Sequence, residues 1–390
     1  MSSGGTFEWF GSNPIVAGAQ FRSGATVAVG SGYVFSGNVS GGITELIFFA
    51  GSARGSTVSG ATQIVQGGGL ATSTTVSTGC TQVVLAFGTA MTAVIDSGGT
   101  QVVALGGRAG DVTISSGGKQ IVSGAVEAIT VLPGGEQDVG HGGTAADMFV
   151  SGTGKVAAGG VVFADFGTFI FSGGTEIVGS GGTTLGIAVL SGGTEAVSAG
   201  GTAVGTGVEA GGQERVSSGG KSLATVVSSG GTEIVLVGGL GSGSTISGGG
   251  TEIVLFGGLD SGSTIGSGGI QIVSSGGVAS AAIISSFGNE TILRGGKAVS
   301  AAVLSGGEQS VASTGKAIST TVASGGAQDV FSAGDAASRL TRANKPQRKA
   351  HGCSLTRADT AHAQKMAQVA WQGSRCFPAS RDRSLFLLQH

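Results

Sequence analysis

A seven-residue phrase recurs along most of this chain at intervals of nineteen. Residues 172–178 and 229–235 both read SGGTEIV, residues 191–197 read SGGTEAV, residues 210–216 read AGGQERV and residues 248–254 read GGGTEIV. Aligned on the phrase, units start at Ser40, Ser59, Thr78, Ser97, Ser116, Pro133, about Ser151, Ser172, Ser191, Ala210, Ser229, Gly248, Ser267, Ser286, Ser305 and Ser324, with a degenerate copy near Ser23. The step is 19 for most units and slips to 17, 18 and 21 around residues 116–172, which gives about seventeen units. A unit of this length cannot bury its own apolar face, and stacking neighbours can bury a continuous core, so a fixed period of this size predicts a solenoid.

Each unit has the same internal plan. A Gly pair precedes a strand-like four such as Thr232-Glu233-Ile234-Val235 or Thr100-Gln101-Val102-Val103. A second Gly-rich corner follows, as at Gly238-Gly239, and a short apolar run closes the unit, as in Ser244-Thr245-Ile246, Ala188-Val189-Leu190 and Ala282-Ile283-Ile284. Strand, loop, strand, corner describes one rung of a parallel β-helix. Gly supplies left-handed conformations and close backbone approach at the corners, and β-branched residues suit short strands. With rungs about 4.8 Å apart, seventeen of them make a rod roughly 80 Å long. Pro133 falls at a corner, where a missing N–H is tolerated.

Composition supports this and excludes its rivals. Gly contributes 80 of 390 residues, yet only four Pro are present and Gly keeps no three-residue period, so collagen is excluded. Hydrophobic residues make up 40% and charged residues 11%, which argues against disorder. The net charge of −2 conceals two regions: residues 1–337 hold ten Lys or Arg against twenty Asp or Glu, and residues 338–390 hold ten against two. Gly falls to two, Gly352 and Gly373, in that second part. The expected organisation is a degenerate start or cap over residues 1–22, the repeat β-helix over 23–337, and a basic non-repeat tail over 338–390, disordered or partly helical, with a short helix over 358–372. The tail's charge suits nucleic acid, and out-of-frame translation also accounts for its abrupt change of composition. Cys80 is the single Cys of the repeat region, with Cys353 and Cys376 in the tail, so neither a disulfide framework nor a Cys-based metal site is expected in the repeats.

Within the strand-like four, the last position is occupied by Ile47, Val65, Val84, Val103, Val122, Val139, Val178, Val197, Val216, Val235, Val254, Val273, Leu293, Val311 and Val330, and is assigned to the core. The third position accepts Asp138, Arg215, Ser310 and Asp329 and is assigned to the outside. The second position is Glu or Gln nearly throughout, including Glu176, Glu195, Glu214, Glu233 and Glu252 in succession. Parity puts it on the core side with Val, but burying a column of Glu carries a large desolvation cost. It is therefore expected at the corner, as a ladder with its head groups in solvent.

Candidate chemistry is sparse. The Glu ladder could attract a cation, but the solvated reading is preferred. His141 is the lone His before residue 351, and the scattered Asp and Arg gather into no catalytic cluster. Ser and Thr abound without a recurring base that could activate them. Gly241-Ser242-Gly243 opens no helix and is no phosphate loop. Asn38-Val39-Ser40 and Asn289-Glu290-Thr291 match the glycosylation triplet by composition alone. Rows such as Ser56-Thr57, Thr74-Thr75, Ser244-Thr245, Ser263-Thr264 and Thr320-Thr321 are similar to ice-binding ranks, but Val112, Phe149 and Ala188 break their register. No catalytic, cofactor-binding or metal-binding residue is assigned, and no cofactor is expected.

The phrase SGGTEIV, its second Gly pair and the following apolar strand, at period 19, resemble the strand-loop-strand repeat of AIDA-type autotransporter passengers. The resemblance covers roughly residues 23–337. It implies an all-β, right-handed parallel β-helix displayed on a Gram-negative cell surface, with roles in adhesion, autoaggregation and biofilm formation. It implies as partners other copies of the chain or host-cell and surface receptors, and a glycosyltransferase that attaches sugars to Ser or Thr. No nucleic acid is expected at the repeats. The chain as written shows no signal peptide, no apolar run of membrane-spanning length and no translocator barrel, so a fragment or frameshifted product is expected. The alternatives are an inert stalk for a lost effector domain and, less well supported, a carbohydrate-active β-helix enzyme.

Overall fold

The computed structural model describes residues 5–9, 23–30, 32–331, 334–340 and 347–350. They form a parallel β-solenoid, with no helix among the described residues. Each rung contains three strands rather than the two expected. A long strand such as Thr232–Val235 leads through a corner into a middle strand, Leu240–Ser242, and a kinked residue, Gly243, followed by the buried Ser244, separates that from a short strand, Thr245–Ile246. The long strands pair into one 19-stranded sheet, and the middle and short strands form a second sheet wrapping the other two sides. Every pairing is parallel and joins like positions: Thr232 faces Thr251, Glu233 faces Glu252, Ile234 faces Ile253 and Val235 faces Val254.

The kink explains why the third strand is hard to read in sequence. Its residue lies in the left-handed region at Gly243 (φ 71), Gly262 (φ 78), Ala224 (φ 55), Ala281 (φ 54) and Ser300 (φ 57). Nothing lies within 4 Å of a Cβ built on Gly243 or Gly262, so small residues other than Gly fit. At Asp111, Ala128 and Asp147 the kink sits inside the continuous strands Arg108–Ile114, Ala125–Val131 and Thr144–Val150.

The Gly pair at the corner between rungs has two separate causes. In the turn Ser228-Ser229-Gly230-Gly231, the Gly231 N–H donates to the Ser228 carbonyl at 2.8 Å. Ser229 (φ 51) and Gly230 (φ 83) both take left-handed conformations. Gly231 does not. It is Gly because a Cβ there would overlap the Val208 carbonyl of the preceding rung. Pro133 occupies the same kind of corner, ahead of Gly134 (φ 80), with the Gly135 N–H donating to the Leu132 carbonyl at 2.8 Å.

The core lies where the last position of the long strand was expected to put it. Val65, Val84, Val103, Val178, Val216, Val235 and Val254 are fully buried, and columns such as Ile246, Ile265 and Ile284 line the short-strand side. Two details differ. Leu293 lies outside the strand Asn289–Ile292 and is 39% exposed, while Ile292 fills the core position; the unit starting at Ser286 ends one residue earlier than the alignment assumed. The steps between long strands are 18 from Thr26 to Thr44 and from Thr44 to Thr62, and 17, 17 and 22 between Lys119, Glu136, Thr153 and Thr175. The two short steps near the start were not expected from the repeat alignment, and the irregularity around residues 116–172 is concentrated in two shortened corners and one insertion.

The stack includes Thr6–Trp9, paired with Thr26–Val29, at its start. At its end come Asp335–Leu340 and Gln347–Ala350, paired with Lys316–Val322 and Ala327–Val330. The expected helix over 358–372 and most of the basic tail lie outside the described residues.

Candidate functional site

The expected solvated Glu ladder is not solvated. The second position of the long strand is fully buried at Glu45, Gln63, Gln82, Gln101, Gln120, Gln137, Glu176, Glu195, Glu214, Glu233, Glu252, Gln271, Glu290 and Gln309, and Gln328 is 1% exposed. Parity decided the matter. A strand whose fourth residue faces in must also send its second residue in.

The solenoid accommodates the column in two ways. Where it is Gln, the amides form a ladder: the Nε2 of Gln82, Gln101, Gln120 and Gln137 each donate to the Oε1 of the preceding Gln at 2.5, 2.5, 2.6 and 2.7 Å. Gln63 Nε2 starts the run on Glu45 Oε2 at 2.7 Å. The residues facing Gln82–Gln137 from the other two sides are apolar, among them Ala90, Ala93, Val112, Ile129 and Met148. Gly154 then interrupts the column, because the side chain of Glu176 fills the space a Cβ there would need.

From Glu176 onward the surroundings change. Thr184 and Thr206 donate to Glu195 at 2.6 and 2.8 Å, Thr225 donates to Glu214 at 2.8 Å and Ser222 donates to Glu233 at 2.9 Å. Asp260 reaches in from a middle strand, accepting from Ser263 at 2.9 Å and from Gln271 at 2.8 Å. Burial raises the carboxyls of Glu195 and Glu233 to about 7 and of Glu176 to about 8, and pushes Glu214 and Glu252 well above the usual range. Hydroxyls thus face the acidic run from Glu176 to Glu252, and alkyl groups face the amide run from Gln82 to Gln137, whereas Thr74 donates to Gln63 at 3.4 Å and Glu290 is faced by Ala298 and Ala301. Sequence reasoning missed this pairing because Ser222 and Glu233 lie eleven residues apart on different strands.

The outside of the rod has two edges of different chemistry. The corner leading into the long strand carries an exposed row of hydroxyls: Ser59, Thr78, Ser97, Ser116, Ser172, Ser191, Ser229, Ser267, Ser286 and Ser305. The corner leading out of it carries large apolar residues at intervals, with Phe49 69%, Phe87 81%, Leu105 74%, Val237 57% and Phe256 71% exposed. The corner at residues 123–124 is two residues short, and it leaves an open notch of about 580 Å³ lined by Phe87, Leu105, Arg108 and Thr144. Two rungs on, the insertion at residues 164–167 is pinned by Asp147, whose carboxylate accepts the N–H groups of Asp165, Phe166 and Gly167 at 3.1, 2.7 and 3.2 Å. Phe149, Phe169 and Phe171 form an aromatic cluster beside it, with ring centroids 5.9–6.1 Å apart.

The remaining sequence candidates are dispersed. His141 is exposed on a corner at φ 52, in the irregular segment. Gly241 faces inward near Asp260, and Gly243 is a kink residue. Asn38 is exposed, and Asn289 accepts the Thr291 hydroxyl at 2.9 Å. The Ser/Thr rows divide between two sides: Ser56, Thr74, Ser244, Ser263 and Thr320 point into the core, and only their neighbours Thr57, Thr75, Thr245, Thr264 and Thr321 face outward. Lys119 and Lys155 pair with Glu136 and Asp138 on the outer face of adjacent rungs, Lys119 to Asp138 at 2.6 Å. Among the described residues no group of His, Cys, Asp or Glu is arranged to hold a metal ion, and no helix is long and apolar enough to cross a membrane.

A long three-sided parallel solenoid with this repeat has the architecture of an AIDA-type autotransporter passenger. Among solved structures the chain is similar to the TibC-catalysed hyper-glycosylated TibA55-350 fragment, an autotransporter passenger, with a TM-score of 0.51 and 27% identity over 84% of this chain and 97% of that one. No protein-family profile matches the chain, and no curated protein matches it.

Proposed function

We propose that this chain is a surface-displayed passenger that acts in cell adhesion, autoaggregation or biofilm formation. The observation that carries the reading is the similarity to the TibA passenger along nearly all of that fragment. The rod's outer chemistry supports it. Exposed apolar residues recur along one edge, interspersed with hydroxyls, and hydroxyls predominate along the other, so a partner rod or receptor meets the same weak contacts many times over. Repetition converts such contacts into avidity. The partners proposed are other copies of the chain and surface receptors.

The TibA fragment is hyper-glycosylated by TibC. The exposed corner hydroxyls of this chain offer a comparable regular row of acceptors, and we assign them as the sites a glycosyltransferase would use. No enzymatic activity is proposed, and a carbohydrate-active enzyme is the weakest of the alternatives. An inert stalk that carries a separate effector domain is the stronger alternative.

Fusion of the chain to an export signal and an outer-membrane barrel, with and without a co-expressed glycosyltransferase, tests the reading. Cells displaying the rod should clump and settle faster than cells displaying the barrel alone. Normal display without clumping or surface attachment in either background would favour the stalk.

A further inference from the structure

Five carboxyls, Glu176, Glu195, Glu214, Glu233 and Glu252, stack at rung spacing with no exposure. As anions they would sit about 4.8 Å apart in a dry core, where like charges repel strongly and desolvation alone costs several kcal/mol per ion. Nothing basic faces them. The inward positions on the middle strands are Thr184, Ala203, Ser222, Gly241 and Asp260; those after the kink are Ile187, Thr206, Thr225, Ser244 and Ser263; those on the short strands are Val189, Val208, Val227, Ile246 and Ile265. Asp260 is the one further titratable group and adds another acid. Arg215 and Lys221 lie on the same rungs but are exposed on the outer face.

Two observations identify the chemical state. First, the same column is Gln in much of the rod, in the same register and with the same burial. A neutral carboxylic acid resembles a carboxamide in having both a donor and an acceptor, and a carboxylate has only acceptors. A bound metal ion would require the charge that Gln lacks. Second, buried carboxyl oxygens along the column are left without a donor: both oxygens of Glu176, Oε1 of Glu214, Oε2 of Glu233 and Oε1 of Glu252. On the next pair of adjacent strands Gln271 Oε1 and Glu290 Oε1 also lack a donor, although Gln309 Nε2 donates to Glu290 Oε2 at 2.6 Å. A proton on each acid supplies the missing donor.

We propose that the column from Glu176 to Glu252 is held in the folded rod as neutral carboxylic acids, so that folding of this segment takes up protons from solvent and is favoured by acid. Each carboxylate of the unfolded chain binds one proton from water as its rung closes, and releases it when the rung opens. Asp260 is the group that accepts, from Ser263, from Gln271 and from the Glu252 acid. The sign follows from linkage. Burial raises Glu195 and Glu233 to about 7 and Glu176 to about 8, above the ordinary 4.5, and pushes Glu214 and Glu252 well above it. Their contribution is complete below about pH 4.5, diminishes between there and about pH 8, and is lost above that range.

The test is the denaturant midpoint of the full chain from pH 4.5 to 9, with the infrared carbonyl stretch of protonated carboxyl followed in the native protein. The folding constant should fall about tenfold or more per pH unit between about pH 5 and 7, because at least one proton is taken up. The protonated band should persist in the native protein at pH 6 and vanish on unfolding. A fivefold variant carrying E176Q, E195Q, E214Q, E233Q and E252Q should keep its midpoint at pH 8 or raise it, and should lose most of the pH slope. A flat or rising pH profile in the native sequence overturns the proposal. So does a native infrared spectrum at pH 6 showing carboxylate alone. A midpoint at pH 8 raised by millimolar Ca²⁺ or Mg²⁺ and lowered by a chelator would replace protons with a metal ion. The infrared measurement stands even if the fivefold variant does not fold.

Discussion

The corner glycines look interchangeable in the sequence and are not. Gly230 is Gly because its backbone is left-handed, and Gly231 is Gly because the Val208 carbonyl occupies the place of its Cβ. Gly243 is a third case, left-handed but open, and its counterparts in other rungs are Ala224 and Ala281. The cost of adding a methyl should follow this order. Gly243→Ala is expected to cost about 1–2 kcal/mol, the penalty of the left-handed conformation. Gly231→Ala should cost more, because the rung must move away from its neighbour and weaken their hydrogen bonds. Denaturant midpoints of the two variants check the ranking, and an equal or reversed effect would contradict the close-approach explanation. At this scale the sequence was readable for Val and for the turn glycines, where one residue type answers one constraint. It misled at Glu233. Two valid rules conflict there, strand parity and the cost of buried charge, and parity prevails in the structure. What reconciles them is hydroxyl and amide partners supplied by other strands, which no short window of sequence displays.

Among the elements, the long strand was legible because its pattern repeats with little change. The split into middle and short strands was not, because its marker is one left-handed residue that tolerates Gly, Ala, Ser, Thr or Asp. The amide run is the element with the most at stake. Replacing Gln101 with Leu would leave the Gln120 amide without its acceptor and the Gln82 carbonyl without its donor. With about 1–3 kcal/mol for each buried group left unpaired, Gln101→Leu should destabilise the rod by about 2–6 kcal/mol. Chemical denaturation at pH 6 measures this, and a change within experimental scatter would mean the ladder adds nothing. Hydrophobic replacement of the polar position is thus expected to harm a core that is otherwise Val, Ile and Ala.

Taken whole, the rod is a one-dimensional stack in which each rung is supported by its two neighbours. Its regular part runs through strands that keep a step of 19 from Thr175 to Ala327. The segment from Lys119 to Thr175 contains two short corners, the insertion held by Asp147 and the Gly154 break in the column. Local opening should begin there. Backbone amides of Glu136–Val139 and Thr153–Val156 should exchange with deuterium sooner than those of Thr232–Val235 and Thr251–Val254. Mass-resolved exchange would show the difference, and uniform protection along the rod would exclude a weak centre. Period and length were visible in the sequence at this scale. The position of the weak centre was visible too, as irregular spacing, but its physical content was not.

The amide ladder also gives the rod a direction. Every Nε2 in it points toward the preceding rung, so the side-chain dipoles from Gln63 to Gln137 add head to tail. The positive end of that line lies at Glu45, the negative end beyond Gln137. The arrangement recurs where Gln271 donates to Glu252, and where Gln328 and Gln309 lead back to Glu290. In each case a carboxyl group stands at the positive pole and accepts the first amide N–H. The interior of this rod therefore behaves as a line of permanently oriented bonds. Two such rods laid side by side would distinguish parallel from antiparallel alignment by their internal fields as well as by the shapes of their surfaces.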